Sequence, residues 1–476
     1  GAGKTNGVFQ LESAGMKSLL MRMKPQNIED ITIAISLYRP GPMDSIPKFL
    51  ENRKNPDKIT YADKRLENIL SVTNGCIVYQ EQVMQIFRSL AGYSFGRADI
   101  VRRAMAKKKK DVMQAERQYF LYGKKSEDGK TECVGAVANG VPEEKAAEIY
   151  DDMATFAQYA FNKSHAAAYA HLAYYTAYLK VHFSAQYMAA LLNSVIDRSD
   201  KIMEYISECS KLGISVRNPD INESVGGFAA TGEKKISFGL SAIKNVGESF
   251  VRSIVNGREN GKYTSFEDFL LRMSEKDINK RMIESLIRAG AFDGFGKKRS
   301  QLMSVYESAV DSLQRRNQKN ITGQFDMFSS LSDGDKEDNG SAILKIDYPD
   351  IPEFSDNELL SMEKDVAGIY MSGHPLRKYE AFAKSINADE ICDINAAAES
   401  GNFEKYRDGT PVTLVGTVTS KREKITKSDK RMAFLHFEDT GGILEVIAFA
   451  NVYNRYAPNL YEGAAVGITG EVSVKE

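Results

Sequence analysis

The side chains in this sequence that are best suited to binding or chemistry are cationic, and they are clustered. Residues 97–125 contain ten basic and three acidic side chains, whereas the whole chain is nearly neutral, with 63 Lys and Arg against 64 Asp and Glu. In a helix, Arg103 and Lys107 would lie one turn apart on one face, next to Arg102 and Lys108. Because such side chains bind phosphate oxygens, the segment predicts a polyanion-binding surface. A solvated basic helix without a ligand is the alternative.

A second polar cluster, Asn162-Lys163-Ser164-His165, precedes a long apolar segment. We expect the Ser164 hydroxyl to cap the helix that follows. The helix N-terminus would then carry partial positive charge beside Lys163, which favours an anion, with His165 at the mouth of the site. A polar turn before a core helix, without a ligand, explains the same residues equally well.

Residues 240–251 have the pattern of two helices joined by a tight hairpin, and Lys244, Asn245 and Gly247 form the turn. Such a hairpin can direct backbone N–H groups toward a phosphate and bind DNA without sequence preference. Asn245 stands where this hairpin usually has a glycine, and asparagine tolerates the positive φ angle of that position. A helical hairpin that only packs against its neighbours is the alternative.

A short peptide near residue 325 has the composition of a docking peptide. Gln324 and Asp326 supply polar groups, and Met327 and Phe328 supply apolar ones. The peptide directly precedes residues 329–340, which are polar and acidic, and which we expect to form a flexible linker. Strings of this length also occur by chance, so the peptide alone is a weak signal.

Several classes of protein are disfavoured. Gly1-Ala2-Gly3-Lys4-Thr5 resembles the end of a phosphate-binding loop, but the required glycine five residues before Gly3 is absent. Because the motif is incomplete, an ATPase with a phosphate-binding loop is only a minor alternative. We find no Cys/His metal cluster, no nucleophile–base pair and no apolar stretch long enough to cross a membrane. The four cysteines are widely separated, as is typical of a reducing cytoplasm.

The elements that must position these residues fall into a helical part and a β-rich part. Apolar periodicity predicts that the basic segment is helical to about residue 106, with Ile100, Ala104 and Met105 facing the core. It also predicts helices over 143–162, 166–195 and 276–290. After about residue 405 the pattern predicts strands over 412–419, 432–438, 443–449 and 465–474, with a helix over 451–459. This order is typical of an oligonucleotide-binding (OB) barrel, which needs a fifth strand, so we expect the barrel to be incomplete.

Several motifs in the same order resemble one family. They are Gly7-Val8-Phe9-Gln10-Leu11-Glu12-Ser13, Leu37-Tyr38-Arg39-Pro40-Gly41-Pro42, Tyr79-Gln80-Glu81-Gln82-Val83-Met84, Arg102-Arg103-Ala104-Met105, Phe161-Asn162-Lys163-Ser164-His165 and Ser372-Gly373-His374-Pro375-Leu376. Together they resemble the alpha subunit of bacterial DNA polymerase III. The resemblance extends over essentially the whole chain, and several motifs in register are far more specific than any one of them.

The resemblance implies a multi-domain α+β fold, with mainly α-helical fingers and hairpin regions followed by a small, truncated barrel. The implied ranges are fingers at 1–215, tandem helix-hairpin-helix and clamp-binding region at 216–328, acidic linker at 329–355, connecting segment at 356–404 and partial OB domain at 405–476.

The resemblance also implies roles for the residues singled out above. It implies that the incoming nucleotide is bound by Arg102, Arg103, Lys107, Asn162, Lys163, Ser164 and His165. It implies that DNA is bound by Lys108, Lys244, Asn245 and Gly247. A sliding clamp would be bound by Gln324, Asp326, Met327 and Phe328. The implied partners are primer–template DNA, dNTP, the sliding clamp and other replicase subunits, without a membrane.

The family's catalytic aspartates, which hold Mg²⁺, lie in a palm domain that would precede residue 1. We therefore expect these 476 residues to be inactive alone. A non-catalytic DNA-binding scaffold built from hairpins and a barrel remains the alternative, and within the family so does an error-prone paralogue.

Overall fold

The computed structural model describes residues 2–107, 110–157, 161–274, 278–321, 344–373, 375–400, 405–426 and 429–474. Lys108, the peptide Gln324–Phe328 and the predicted linker 329–340 lie outside the described residues. Contacts divide the chain into two compact units. Unit 1 comprises Gly1–Tyr178 with Glu399–Asn402, and unit 2 comprises Leu179–Ala398 with Phe403–Glu476.

Unit 1 is helical. Its helices are α1 Ala14–Met23, α2 Ile28–Leu37, α3 Ile46–Lys54, α4 Glu67–Leu70, α5 Gln80–Ala91, α6 Phe95–Ala106, α7 Lys110–Tyr122, α8 Glu143–Ala157 and most of α9 Lys163–His182. Two short strands, β1 Lys124–Lys125 and β2 Thr131–Cys133, pair antiparallel. Local sequence sets several helix ends: the Ser13 side chain caps α1 by accepting a hydrogen bond from the Met16 N–H. Gly92, with φ +73°, ends α5 in the left-handed conformation.

Two buried clusters hold unit 1 together. One packs α1, α2 and α3 around Phe49 and extends to Ala170 and Ala173 on α9. The other packs α4 to α8 around Phe87, whose ring meets the Phe120 ring edge-on at 5.3 Å. The small alanines let α9 approach the first cluster closely, so the start of α9 is fixed against the body of the unit.

Helix α6 ends at residue 106, as predicted, but one of the three core predictions for it is wrong. Ala104 and Met105 are buried, whereas 68% of the Ile100 side chain is exposed. The buried stripe is formed by Ala98, Val101 and Met105. At 3.6 residues per turn, Ile100 lies about 200° around the helix from Ala98, on the opposite face. That exposed face is shared with Arg103 and Lys107.

Unit 2 combines helices with two small sheets. Its helices are α10 Ser184–Ser194, α11 Ser199–Lys211, α12 Glu248–Gly257, α13 Phe266–Met273, α14 Lys280–Arg288, α15 Arg299–Ile321, α16 Asp356–Ala367, α17 Glu380–Ser385, most of α18 Ile391–Ser400, and α19 Ala450–Tyr456. The strands β3 Ser215–Arg217, β4 Ala229–Gly232 and β5 Lys235–Ser237 form a sheet in the order β3-β5-β4. Only the β3–β5 pair is parallel.

The predicted helix over 166–195 is two helices. Helix α9 ends at His182, and α10 begins after Phe183, whose ψ of 49° departs from the helical range. The apolar pattern continues across this break because both helices bury apolar residues, so periodicity alone does not reveal it. The predicted helix over 276–290 is confirmed in a shorter form as α14.

The β-rich end of the chain forms a four-stranded antiparallel sheet. The strands are β6 Pro411–Ile425, β7 Arg431–Glu438, β8 Ile443–Ala448 and β9 Ala465–Glu471, in the order β8-β7-β6-β9. Leu414 of β6 and Leu435 and Phe437 of β7 are buried together on one face of this sheet. The predicted order of three strands, a helix and a fourth strand is confirmed. Strand β6 is longer than predicted because its charged second half pairs with β7 in a hairpin, with Lys421 opposite Leu435.

The end of α16 connects three parts of unit 2. The Glu363 side chain is fully buried and accepts hydrogen bonds from Arg299 Nη1 at 3.0 Å, Met371 N at 2.8 Å and Ser372 N at 2.7 Å. The next residue, Lys364, forms an ion pair with the buried Glu438 at the end of β7. Asp365 pairs with Arg288 of α14 at 2.6 Å. Three consecutive charged residues thus attach α16 to α15, to the barrel and to α14.

The segment before α16 is attached to the start of α15. Both carboxylate oxygens of Glu353 accept from the first backbone N–H groups of α15, Arg299 N at 2.7 Å and Ser300 N at 2.9 Å. Lys298 Nζ donates to the Ile351 carbonyl at 2.9 Å, and Gln301 Nε2 donates to the Pro349 carbonyl at 2.9 Å. Residues 349–353 are therefore held against the start of α15 before α16 begins.

Candidate functional site

Two of the predicted phosphate-binding arginines share one carboxylate. Asp99 Oδ1 accepts from Arg102 Nε at 3.1 Å and from Arg102 Nη2 at 2.7 Å, and Arg103 Nη2 lies 2.8 Å from Asp99 Oδ2. The Arg102 side chain is 13% exposed and the Arg103 side chain 69%. Arg102 is therefore largely committed to Asp99, whereas Arg103 reaches solvent beside Lys107 and Ile100 on the exposed face of α6.

This shared carboxylate predicts a pH dependence of stability. The pKa of Asp99 lies below its ordinary value, first because Arg102 donates side-chain hydrogen bonds to it. Such a group stabilises the fold above the pKa of the unfolded chain, near 3.9, and the stabilisation is lost as pH falls through the lower folded-state pKa. We expect Asp99→Asn to lower the free energy of unfolding by about 1 kcal/mol at pH 7.

The difference between the Asp99→Asn variant and the wild-type chain should shrink progressively below about pH 4. Urea unfolding at a series of pH values measures it. A difference that stays constant or grows on acidification would contradict the assignment.

The segment Asn162–His165 begins α9, but Ser164 is not its cap, so that prediction is wrong. The helix begins at Lys163, two residues earlier than a Ser164 cap implies, which places Asn162 in the capping position. Asn162 Oδ1 accepts from the His165 N–H at 2.9 Å, and Ser164 is an exposed residue of the first turn.

The N-terminus of α9 already holds a carboxylate. Glu81 Oε2 accepts from the Lys163 N–H at 3.1 Å, and Glu81 Oε1 accepts from Asn162 Nδ2 at 3.0 Å. A single parallel β-bridge between Tyr79 and Phe161 brings the two segments together. Glu81 is a site residue without a predicted role, although it lies within Tyr79-Gln80-Glu81-Gln82-Val83-Met84, one of the motifs that carry the resemblance.

Lys163 and His165 differ in what surrounds them. Lys163 Nζ lies 2.8 Å from Glu29 Oε1, which also accepts from the Tyr79 hydroxyl at 3.2 Å. Burial raises the pKa of Tyr79, so its hydroxyl keeps the proton that it donates. The charge of Lys163 is thus balanced locally. His165 is exposed, and its ring lies 5.3 Å from the Phe161 ring and 4.2 Å from the Tyr169 ring.

The predicted hairpin is present, with Asn245 at φ +67° as expected. Its first element is a 3₁₀ turn, Leu240–Ala242, and its second is α12, which Gly247 precedes. A Cβ built on Gly247 would meet nothing within 4 Å, so the backbone there is open to a ligand. Lys244 is tethered instead: its N–H donates to the Val366 carbonyl at 2.8 Å and its Nζ to the Asp365 carbonyl at 2.7 Å.

A polar pocket opens next to this hairpin, and three of its residues escaped the sequence analysis. Asn245 lines it together with Asn279, Lys280 and Arg281 at the start of α14. Asn279 caps α14 by accepting from the Met282 N–H at 2.9 Å, and Lys280 pairs with Asp311 at 2.9 Å. Arg281 is exposed. The available signal was an asparagine followed by two basic residues at a predicted helix start.

The outer face of the barrel carries an exposed cation next to an aromatic ring. Arg422 of β6 lies opposite Phe434 of β7, and its guanidinium carbon is 5.2 Å from the ring centroid. Such pairs can stack a nucleic-acid base and contact its backbone.

Within the described ranges, no group of three or more His, Cys, Asp or Glu side chains lies close enough together to hold a metal ion. These residues therefore do not fit a magnesium site. In the same ranges, no helix combines the length and the apolar composition needed to cross a membrane.

Comparison with known proteins agrees with the three structural regions. Residues 1–128 match the model of the bacterial DNA polymerase III alpha subunit finger domain. Residues 213–302 match a helix-hairpin-helix motif, and residues 412–476 match an OB-fold nucleic acid binding domain.

Curated relatives match along the whole chain. DNA polymerase III subunit alpha is 40% identical over 482 residues in Saccharopolyspora erythraea, 39% over 484 in Thermus aquaticus and 38% over 485 in Mycobacterium tuberculosis. Each alignment covers 100% of this chain but only 37–39% of the relative. The chain thus spans about two fifths of the length of these relatives.

Proposed function

This chain belongs to the family of bacterial DNA polymerase III alpha subunits, and on that premise we propose that it holds the incoming nucleotide and the DNA during template-directed DNA synthesis. The observation that carries the proposal is the exposed face of α6, where Arg103 and Lys107 stand within the region that matches the finger domain. A cationic face of this kind needs an anionic partner, and a nucleoside triphosphate supplies one.

The residues at the two clusters divide into contacting and positioning groups. Arg103 and Lys107 bind the triphosphate of the incoming nucleotide, and Asp99, which also holds Arg102, fixes the direction of Arg103. Asn162 and His165 lie near the sugar, while Lys163 and Ser164 belong to the same first turn of α9. Because its ammonium group forms an ion pair with Glu29, Lys163 acts mainly by holding that turn in place.

In the proposed reaction the primer 3′-hydroxyl attacks the α-phosphate, and pyrophosphate leaves. Cations fixed beside the β- and γ-phosphates stabilise the negative charge that develops on the leaving group. The intact family enzyme uses Mg²⁺ for this chemistry, but the described residues do not fit a magnesium site, so no step is assigned to a metal held by them. We expect no primer extension by these 476 residues alone.

DNA binding falls to the hairpins and the barrel. The turn at Asn245 and the exposed Arg281 line one polar pocket, which suits a phosphate of the DNA backbone, and the backbone at Gly247, two residues after Asn245, is open to a ligand. Lys244 supports this surface through its contacts with α16, and Lys108 extends the basic segment. A non-catalytic scaffold that binds DNA through these same modules remains the second candidate, because hairpin and barrel need no active site to bind DNA.

For the remaining partners the proposal rests on sequence. The peptide containing Gln324, Asp326, Met327 and Phe328 would bind a sliding clamp, and the longer polymerase would assemble with other replicase subunits. A protein that copies the bacterial chromosome works in the cytoplasm, which we propose as its location.

The test is binding of the chain to fluorescent primer–template DNA across a salt series. We expect the logarithm of the affinity to fall linearly with the logarithm of the salt concentration. Arg103→Glu and Lys107→Glu should each weaken binding of a fluorescent dNTP, measured separately, about tenfold at 0.1 M salt, whereas Arg281→Glu beside the hairpin should weaken DNA binding and reduce the salt slope by about one per lost phosphate contact. Arg22→Glu, on the exposed side of α1, is the matched control for a simple change in net charge.

Equal losses for Arg22→Glu and Arg103→Glu would mean that only net charge matters, and would reject the α6 site. A folded chain that binds no DNA at low salt would reject the proposed function as a whole.

A further inference from the structure

Arg39 is the one half-buried arginine in the described part of unit 1 that holds no carboxylate. The other half-buried arginines of this part each have a guanidinium nitrogen 2.6–2.9 Å from a carboxylate oxygen. They are Arg53, Arg65, Arg97, Arg102 and Arg117. The Arg39 guanidinium has no hydrogen-bond or ion-pair partner among the residues that the structure describes. Taking a cation partly out of water without an anion is unfavourable. Arg39 therefore lacks an anionic partner among the described residues, and an anionic ligand would supply one.

The guanidinium of Arg39 is nevertheless held in place. Its central carbon lies 3.6 Å from the centroid of the Phe161 ring, within the range of a cation–π contact. Pro40 and Pro42 restrict the backbone after Arg39 because proline fixes φ, and Gly41 between them adopts φ +98°. Stacking on a ring orients the guanidinium plane and leaves its N–H groups free for an anion.

Phe161 is also the first of three rings in a row. Phe161, His165 and Tyr169 are spaced by four residues, and successive ring centroids lie 5.3 Å and 4.2 Å apart. The row is partly or fully open to solvent along its length. Aromatic faces of this kind stack nucleobases and sugars, and a cation at the end of the row suits the attached phosphate.

We propose that Arg39 binds a nucleotide phosphate and that the ring row Phe161–His165–Tyr169 contacts the sugar or base of the same nucleotide. The proposal deepens the proposed function and rests on it. It assigns a role to the Arg39-Pro40-Gly41-Pro42 turn, which positions the cation. The phosphate can come from a free dNTP or from the DNA strand, and the two sources share this chemistry.

The test compares Arg39→Ala, Arg39→Lys and Phe161→Leu in the 476-residue chain, with Arg22→Ala as the matched control. Binding is measured with fluorescent primer–template DNA in a salt series and, separately, with a fluorescent dNTP. Circular dichroism melting verifies that each variant is folded. Arg39→Lys keeps the charge but loses the planar stacking, and Phe161→Leu keeps the arginine but removes its support.

We expect Arg39→Ala to weaken binding about tenfold, and Arg39→Lys and Phe161→Leu to weaken it several-fold, while Arg22→Ala stays within twofold. Loss of DNA affinity with a salt slope lower by about one identifies a strand phosphate. Loss of dNTP affinity alone identifies the triphosphate. Wild-type binding that all three variants retain would overturn the proposal and leave the proposed function standing. A wild-type chain that binds neither probe would reject the proposed function itself.

Discussion

Replacing Glu363 by alanine is expected to lower the free energy of unfolding of unit 2 by about 3–5 kcal/mol. The Glu363 carboxylate has no exposed surface and accepts from one guanidinium, two backbone N–H groups and the Ser372 hydroxyl. Alanine would remove the shared acceptor of these donors, of which the Arg299 guanidinium is buried. Arg299 would keep Asp293, at 2.7 Å, as its remaining counter-charge, although Asp293 is largely exposed. The cost arises mainly from desolvated donors, and a lost apolar contact contributes little.

Denaturant unfolding followed by circular dichroism measures this loss, provided that the slope with denaturant stays unchanged. Glu363→Gln keeps the shape and an acceptor oxygen but removes the charge, so it should cost less than alanine. Asp350→Ala, in the exposed segment before α16, is the control and should change stability by less than about 0.5 kcal/mol. A loss of stability below about 1 kcal/mol for Glu363→Ala would show that the hydrogen bonds of this carboxylate do not stabilise unit 2 as its contacts suggest.

Under the proposed function, replacing Glu81 by alanine is expected to lower kcat/KM for dNTP by about 100-fold in a polymerase that contains this chain. Glu81 holds Asn162 and the first N–H of α9, and through them it sets the position of His165. A displacement of about 1 Å at a reacting site can cost that much, even when the fold survives. The loss of a helix cap costs only about 1–2 kcal/mol of stability, so the variant should remain folded.

A purely structural role for Glu81 would predict a lower melting temperature without a change in kcat or KM at a temperature where the protein is folded. A positioning role predicts the kinetic loss and its partial rescue by Glu81→Gln, which still offers one acceptor oxygen. Glu67→Ala, an exposed glutamate of α4 in the same unit, is the control. Unchanged kinetics in Glu81→Ala would remove Glu81 from the proposed site.

The elements of the fold could be predicted largely from local patterns. The β-rich runs after residue 405 correctly indicate four strands and the helix between the third and the fourth, and asparagine at a tight turn correctly indicates the positive φ of Asn245. The prediction for Ile100 is wrong because Val101 follows it directly, and two adjacent apolar residues do not reveal which of them faces the core. The break at Phe183 was missed because both flanking helices are apolar.

The types of the site residues could also be predicted, but their partners could not. Arg103 and Lys107 are visible as a basic cluster in the sequence. The tether of Lys244 lies 121 residues away at Asp365, and Glu81 lies 82 residues before Lys163. Such pairs depend on how distant segments pack, which local periodicity does not encode. The same distances explain why two cations that look alike in the sequence, Lys163 and Arg103, differ in their availability to a ligand.

The attachment of Glu353 to the start of α15 has a consequence for how unit 2 is connected. Because Glu353, Ile351 and Pro349 fix where the polypeptide returns, its path after that point does not depend on the length of the preceding connection. Doubling the length of a loop costs only about 0.6 kcal/mol of closure free energy. Two separate polypeptides, one ending at residue 321 and the other starting at residue 344, therefore retain the contacts needed to reassemble unit 2 as a split protein.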